Sequence, residues 1–268
     1  MKAQVNGITL AYGDKGTGLP VVFLHAFPLN RTMWTAQEKA LSSEFRVITI
    51  DLRGHGESDA PLRHHTLDQA AEDVRVLLEH LSIQQAVFVG LSMGGYILFA
   101  FYRKYADRVK GLVLADTRAQ ADTAEGKEER FRMAQTAYKK GPAAIADIMI
   151  PKLLSPATIQ ARPEIVQNVR AMIEGNQISG ITGDLMAMVE RPDSIPLLSK
   201  IACPTQIIVG ELDQATPPSD AKIMADHIPG SRLAVIPGTS HLSNLEQPDM
   251  FTQIVRSFAS DLAKERNG

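Results

Sequence analysis

The chain of 268 residues contains a single cysteine, Cys203, so no disulfide can form within it. This sparse cysteine usage fits a reducing compartment. No run approaches the roughly 18 apolar residues that a membrane-spanning helix needs, and the first residues lack the long apolar stretch of a signal peptide. A formal net charge of −2 provides no strong field to attract nucleic acid or acidic lipid. The composition therefore predicts a soluble, cytoplasmic protein with no nucleic-acid partner and no membrane insertion.

Six short apolar runs, each bounded by turn residues, predict the strands of the protein: 21–24, 47–50, 86–89, 112–114, 206–209 and 233–236. Because these runs are apolar throughout, we expect strands that are buried on both faces of a parallel sheet. Residues 5–12 alternate more strongly and predict an antiparallel hairpin at the sheet edge. Amphipathic helical stripes, one beginning at Thr66 and another over 251–262, lie between or after the runs. The pattern predicts a doubly wound α/β sheet.

One interval interrupts this alternation, since the chain between Asp116 and Thr205 has no convincing strand. A βαβ crossover needs far fewer residues, and the six prolines from Pro142 to Pro196 divide the interval into short helical pieces. We therefore expect an inserted helical cap over 118–197, between two parts of an α/β core at 1–117 and 198–268. Five methionines in the interval are candidates for a substrate roof, although ordinary packing of the cap explains them equally well: Met133, Met149, Met172, Met186 and Met188.

A Gly-x-Ser-x-Gly motif places Ser92 between Gly90 and Gly94. The motif is weak evidence alone, but here it follows the predicted strand 86–89 and opens a helical stretch. A sharp strand-to-helix turn requires small neighbours, and the helix N-terminus favours developing negative charge. This context predicts that Ser92 is an activated nucleophile.

A serine nucleophile needs a base, and His241 follows the last predicted strand, on the side of the sheet where Ser92 lies. We interpret His64, His65, His80 and His227 as surface or helix-dipole residues. A carboxylate must hold the base, and Asp213 follows the strand 206–209. Asp116 and Glu211 remain alternatives for this acid.

An acyl-transfer site also needs donors for the oxyanion. The N–H of Met93, directly after the nucleophile, is one candidate, and the N–H of Phe27, in the loop after the strand 21–24, is the second. We expect His25 to hold this loop by hydrogen bonds. Trp34 and His25 are candidate substrate-pocket residues, although Trp34 is equally suited to core packing.

Several motifs now occur in a characteristic order: 25–28, 51–58, the turn at Ser92, 210–213 and 238–241. Together they resemble the α/β-hydrolase superfamily, and within it the compact bacterial branch of 3-oxoadipate enol-lactonases, small esterases and cofactor-free perhydrolases. The resemblance implies an α/β-hydrolase fold, a mostly parallel central sheet flanked by helices with an inserted helical cap, in which 51–58 is a structural loop. One departure is Ala26, where the family usually has glycine. A positive φ there would cost on the order of 1 kcal/mol.

These residues predict a serine hydrolase that cleaves carboxylic esters or lactones, small molecules, through an acyl-enzyme on Ser92, His241 and Asp213. We expect no cofactor and no metal, because the chain lacks a His-x-His-x-Asp-His ligand motif and His64 and His65 have no further ligand at useful spacing. Perhydrolysis and carbon–carbon bond hydrolysis on the same triad are alternative reactions. A non-catalytic small-molecule receptor is the alternative of another class.

The sequence contains no cluster of positive charges that would indicate an anionic substrate. Arg118 and Arg31 are candidates for binding a carboxylate, although solvated surface arginines are commoner.

Overall fold

The apolar runs of the sequence become strands of one sheet in the computed structural model, which describes residues 1–62 and 65–264. The strands are β1 (Lys2–Val5), β2 (Ile8–Lys15), β3 (Pro20–Leu24), β4 (Arg46–Ile50), β5 (Ala86–Leu91), β6 (Val109–Ala115), β7 (Thr205–Gly210) and β8 (Arg232–Ile236). All six predicted runs and the predicted hairpin are present. The strands extend the predicted runs by a residue or more, because backbone pairing continues beyond the strictly apolar positions.

The sheet order is β1-β2-β4-β3-β5-β6-β7-β8. The hairpin β1–β2 and the pair β2–β4 are antiparallel, whereas every pair from β4 through β8 is parallel. The mostly parallel sheet is thus confirmed. Its consequence for function is geometric, because the carboxyl ends of parallel strands meet at one edge, where ligands bind in open α/β sheets.

Burial on both faces holds for β3, β5 and β7 but not for the last strand. In β8 the side chains of Leu233 and Val235 are 40% and 48% exposed. The expectation was wrong for this run because β8 pairs with β7 alone and forms the edge of the sheet.

Eleven helices of the described residues surround the sheet: α1 (Thr35–Leu41), α2 (Leu67–His80), α3 (Met93–Tyr105), α4 (Ala124–Leu153), α5 (Pro156–Ala161), α6 (Pro163–Glu174), α7 (Ile178–Glu190), α8 (Ile195–Leu198), α9 (Pro218–His227), α10 (Ser243–Glu246) and α11 (Pro248–Lys264). The side chain of Thr66 caps α2 by accepting the Gln69 N–H at 3.1 Å. Phe251, Val255, Phe258 and Leu262 of α11 are buried, as their helical spacing predicts. No helix of the described ranges combines the length and apolarity that crossing a membrane requires.

Helices α4 to α8 occupy the chain between β6 and β7, and we call them the helical segment. The long helix α4 is interrupted at Gly141, where φ is +79° and Pro142 follows. Proline cannot donate the next helical hydrogen bond, and glycine adopts the left-handed backbone without a Cβ clash. The interruption divides α4 into two pieces, and the second of these leads towards the carboxyl edge of the sheet.

Candidate active site

Ser92 lies between β5 and α3 with φ of 56° and ψ of −113°. A non-glycine residue at positive φ is strained by about 1–3 kcal/mol, and such strain persists only where surrounding contacts hold it. Those contacts come from the end of β6. The Ser92 N–H donates to the Ala115 carbonyl at 2.9 Å, and the Thr117 hydroxyl donates to the Ser92 carbonyl at 2.8 Å. The end of the neighbouring strand therefore holds the half-buried serine in this conformation at the turn.

The two glycines of the motif are required by close packing. A Cβ on Gly94 would lie 2.4 Å from the carbonyl oxygen of Leu24, and one on Gly90 would lie 2.6 Å from the carbonyl carbon of Gly94. Any side chain at these positions would force β3, β5 and α3 apart. The motif therefore has glycine two residues before and two residues after Ser92 because the turn leaves no room for a Cβ at either position.

The structure brings Ser92, His241 and Asp213 together at the carboxyl edge of the sheet. Nε2 of His241 lies 2.8 Å from Oγ of Ser92, and its Nδ1 lies 2.8 Å from Oδ2 of Asp213. An ionised Asp213 accepts the Nδ1–H, which leaves Nε2 as the acceptor for the serine proton. This tautomer is the one that a general base needs.

Asp213 is buried and receives further hydrogen bonds. The N–H groups of Ala215 and Thr216 donate to Oδ1 at 2.8 and 3.0 Å, and the Thr216 hydroxyl donates to Oδ2 at 2.8 Å. Burial acts to raise the pKa of Asp213, but His241 and these donors outweigh burial and lower it. Burial acts to lower the pKa of His241, but Asp213 outweighs burial and raises it. Thr216 was missed by sequence reasoning, although its place three residues after Asp213 is typical of a carboxylate-centred turn.

The two alternative acids have other partners. Asp116 is fully buried and accepts the Gly210 N–H at 2.7 Å and the Ser243 hydroxyl at 2.5 Å. Burial, reinforced by the charge of Asp213, raises the pKa of Asp116 to about 8. Glu211 is exposed and accepts the Gly238 N–H at 2.9 Å. Of the three carboxylates, Asp213 is the one that contacts His241.

The two residues predicted to donate to the oxyanion are Met93, which directly follows Ser92, and Phe27, which lines the same cavity. Met93 is the first residue of α3, so its N–H has no acceptor within the helix. Phe27 lines the same cavity as Ser92. Ala26 does not have a positive φ. The alanine at the position where the family usually has glycine is therefore unstrained.

His25 holds the loop as expected. Its Nε2 accepts the Leu52 N–H at 3.0 Å, so Nδ1–H donates to the Ala26 carbonyl at 2.9 Å. Burial, aided by the nearby His55, lowers the pKa of His25 to about 3 and keeps the ring neutral.

Trp34 and His25, the two candidates for the substrate pocket, lie outside the cavity that contains Ser92. Both side chains are fully buried, and neither lines the cavity beside Ser92. Trp34 packs against Phe23 and Phe251 in the core, at ring-centroid distances of 5.1 and 5.8 Å.

The surface interpretation of His65 is also wrong, because its side chain is buried and contacts Asp184 of α7 at 2.6 Å. His64 lies outside the described residues. Within 1–62 and 65–264, no three side chains of His, Cys, Asp or Glu are arranged to hold a metal ion.

The helical segment and Arg118 before it form one side of the cavity beside Ser92. The apolar lining includes Phe27, Met149, Leu153 and Met188, and the cations are Arg118, Arg130 and Lys152. Two of the five methionines singled out from the sequence thus face the cavity. Arg31 does not line the cavity and pairs instead with Asp51 and Glu57, at 3.1 and 2.6 Å.

Three arginines, two of which line the cavity, share one carboxylate. Arg118, Arg130 and Arg191 all pair with Asp122. Burial acts against ionisation of Asp122, but Arg130 and Arg191 outweigh burial and lower its pKa. Arg118 is left with a buried Nε–H that has no acceptor among the described residues. A buried charged donor of this kind is costly unless a ligand satisfies it. The linear sequence concealed this group because Arg118, Arg130 and Arg191 belong to separate elements.

Known proteins share this fold and much of the sequence. A 3-oxoadipate enol-lactonase from Acinetobacter baylyi is 32% identical over 237 residues, which is 88% of this chain and 87% of that protein. The structure of a thermophilic esterase from Thermogutta terrifontis, with malate bound, superposes with a TM-score of 0.96 at 43% identity, over 98% of this chain and 99% of the other.

The enol-lactonase structure from Burkholderia xenovorans gives a TM-score of 0.91 at 31% identity, over 97% of this chain and all of the other. The family model of the α/β-hydrolase fold matches residues 20–248. The chain therefore belongs to the α/β-hydrolase family.

Proposed function

We propose that the protein is a serine hydrolase that cleaves carboxylic esters or lactones through an acyl-enzyme. The observation that carries this proposal is the hydrogen-bonded chain from Ser92 through His241 to Asp213, which opens onto a cavity. The raised pKa of His241 supports its role, because a more basic imidazole takes the serine proton more readily. Relatives named as lactonases and esterases support the same reaction class.

The first half of the reaction forms a bond between Ser92 Oγ and the carbonyl carbon while His241 Nε2 takes the serine proton. The N–H groups of Met93 and Phe27 hold the oxyanion. The bond to the leaving oxygen then breaks, and His241 returns its proton to that oxygen. A lactone keeps the new hydroxyl attached to its acyl chain, whereas an open ester releases an alcohol. In the second half, water gives a proton to His241 as it attacks the acyl carbon. The bond from that carbon to Ser92 Oγ then breaks, His241 returns the proton to Oγ, and the acid leaves.

The cavity also supports a substrate class, namely esters or lactones that carry a second, ionised acid group. Arg118, Arg130 and Lys152 line the cavity together with the nucleophile, and the Arg118 Nε–H has no acceptor within 1–62 and 65–264. A carboxylate placed there would accept charge-assisted hydrogen bonds. The apolar side chains of Phe27, Met149 and Met188 suit the short hydrocarbon part between the two acid groups.

We further propose that residues 118–197 act as a cap that determines which substrates enter. Met149, Lys152 and Leu153 of α4 and Met188 of α7 supply one wall of the cavity that contains Ser92. The nucleophile, base and acid come from outside this segment. The helical segment would then select the substrate, and the rest of the chain would supply the catalytic groups.

A hydrolysis panel tests the proposal. It compares open esters with lactones, and the half-ester of a short dicarboxylic acid with the corresponding diester, using Ser92→Ala as the background control. We expect turnover by the wild type only, with kcat/KM higher for the half-ester than for the diester. A faster reaction with the diester would contradict the acidic substrate class. Equal rates for wild type and Ser92→Ala would contradict the hydrolase itself.

A further inference from the structure

Glu246, at the end of α10, is a buried carboxylate outside the triad. The hydrogen-bond donors to its carboxylate among the described residues are uncharged, and the Arg162 guanidinium nearby donates to its main-chain carbonyl at 2.7 Å. Glu246 is 4% exposed, and no lysine or arginine of the described residues pairs with its carboxylate. Burying a charge in this way is costly unless hydrogen bonds satisfy it fully. Four donors do so here, which marks the position as a built arrangement.

The two oxygens of Glu246 face different parts of the chain. Oε1 accepts the N–H of Ser240 at 2.7 Å, and Ser240 directly precedes His241. Oε2 accepts the Ser155 N–H at 3.0 Å and the hydroxyls of Ser155 and Thr158 at 2.5 Å each. Ser155 caps α5. The carboxylate therefore bridges the His241 loop and the junction between α4 and α5.

The residue after His241 is bound to the same junction. The Leu242 N–H donates to the Leu153 carbonyl at 3.0 Å, and the Leu153 side chain lines the cavity beside Ser92. Both backbone neighbours of His241 are thus held by residues 153–158, one directly and one through Glu246. The imidazole, by contrast, has three partners among the described residues: Asp213, Ser92 and, at a longer distance of 3.4 Å, Thr216.

We propose that Glu246 is a positioning residue that sets the place of His241 from the α4–α5 junction. The inference rests on the proposed role of His241 as the base, but it assigns a function to a residue outside the triad. A substrate seated against Leu153 presses on the segment that holds both neighbours of His241. The junction that shapes the substrate wall therefore also sets the distance between base and nucleophile, and small errors in that distance lower the rate steeply.

The test measures how fast a fluorophosphonate probe labels Ser92, because this reaction requires His241 but not the natural substrate. For Glu246→Gln we expect the second-order labelling rate to fall about 10-fold while the final extent of labelling stays complete. The pH at which the rate is half-maximal on the acid side should also move to lower pH, because a looser contact with Asp213 lessens the rise in the pKa of His241. A purely structural role would reduce the labelled fraction and leave the rate and pH midpoint of the folded fraction unchanged, which would overturn the proposal.

Thr158→Val, which removes one donor to Glu246 on the α5 side, provides a milder variant. We expect a decrease of about 3-fold in rate with the same direction of pH shift. Its matched control is Thr252→Val, which changes a buried hydroxyl in contact with Gln37 rather than with Glu246, and which should label at the wild-type rate. If Glu246→Gln does not fold, the labelling rate of Thr158→Val tests the proposal. A wild-type rate and pH midpoint in that variant would then overturn it. Absence of labelling in the wild type would instead refute the proposed hydrolase function.

Discussion

The carboxyl edge of the sheet and the helical segment above it contribute to the same cavity but are built by different means. At the sheet edge, the groups of the proposed triad follow β5, β7 and β8, and short local motifs determine their backbone. In the helical segment, the residues of the cavity wall come from distant turns of α4 and from α7, and packing between helices brings them together. Chemistry is thus encoded locally, whereas the shape and charge of the pocket are encoded by long-range packing.

The largest expected effect is at the sheet edge. Asp213→Asn should lower kcat by about 10³–10⁴-fold, because the amide no longer holds the imidazole in the basic tautomer or stabilises the imidazolium. Steady-state kinetics on the best ester of the panel measures this change. A loss of less than about 10-fold would mean that another carboxylate orients His241. It would contradict the claim that local motifs at the sheet edge determine the catalytic groups.

An intermediate and substrate-dependent effect is expected at the junction of the two regions. Arg118→Met should lower kcat/KM for a half-ester by about 10–100-fold, since a charge-assisted hydrogen bond is worth about 1.5–3 kcal/mol, and change the rate for the matched diester little. The fold should survive, because Asp122 keeps Arg130 and Arg191.

Arg132→Met is the matched control for this prediction. Arg132 lies on α4, its side chain is 67% exposed, and it is outside the cavity lining. We expect it to leave the ratio of half-ester to diester rates unchanged. Equal losses for both substrates in Arg118→Met would show that the arginine supports the fold of the wall rather than binding an acid group.

The smallest expected effect on turnover is at Asp116. Its pKa of about 8 leaves it protonated at neutral pH, so the neutral amide of Asp116→Asn should keep kcat/KM within about 3-fold. The pH dependence of stability should change more. Between the ordinary carboxyl range and pH 8 the folded wild type keeps a proton that the unfolded chain releases, so this group makes the wild type less stable as pH rises.

Thermal unfolding at pH 5 and pH 8 measures that difference. The decrease in Tm from pH 5 to pH 8 should be smaller in Asp116→Asn than in the wild type. A greater loss of kcat in Asp116→Asn than in Asp213→Asn would reassign the acid and would contradict the contacts of both carboxylates.

The contrast between the regions also explains what the sequence could predict. The sheet, its hairpin and the location of Ser92 followed from apolar runs and from glycines that the turn requires. The burial of β8 was mispredicted because an apolar run does not reveal that its strand is at the edge. Trp34 had two interpretations, pocket lining and core packing, and the structure places it in the core. His65 was interpreted as a surface residue because its partner, Asp184, is distant in sequence. Arg118, Arg130 and Arg191 could not be recognised as one group, because only the fold brings them to a shared carboxylate.

The most direct test of the central claim is to locate a fluorophosphonate adduct by mass spectrometry. We expect one adduct per chain, mapped to Ser92, and none in Ser92→Ala, which should unfold at the wild-type temperature and have lost nearly all ester hydrolysis. An adduct on another residue, or wild-type hydrolysis by Ser92→Ala, would contradict the account.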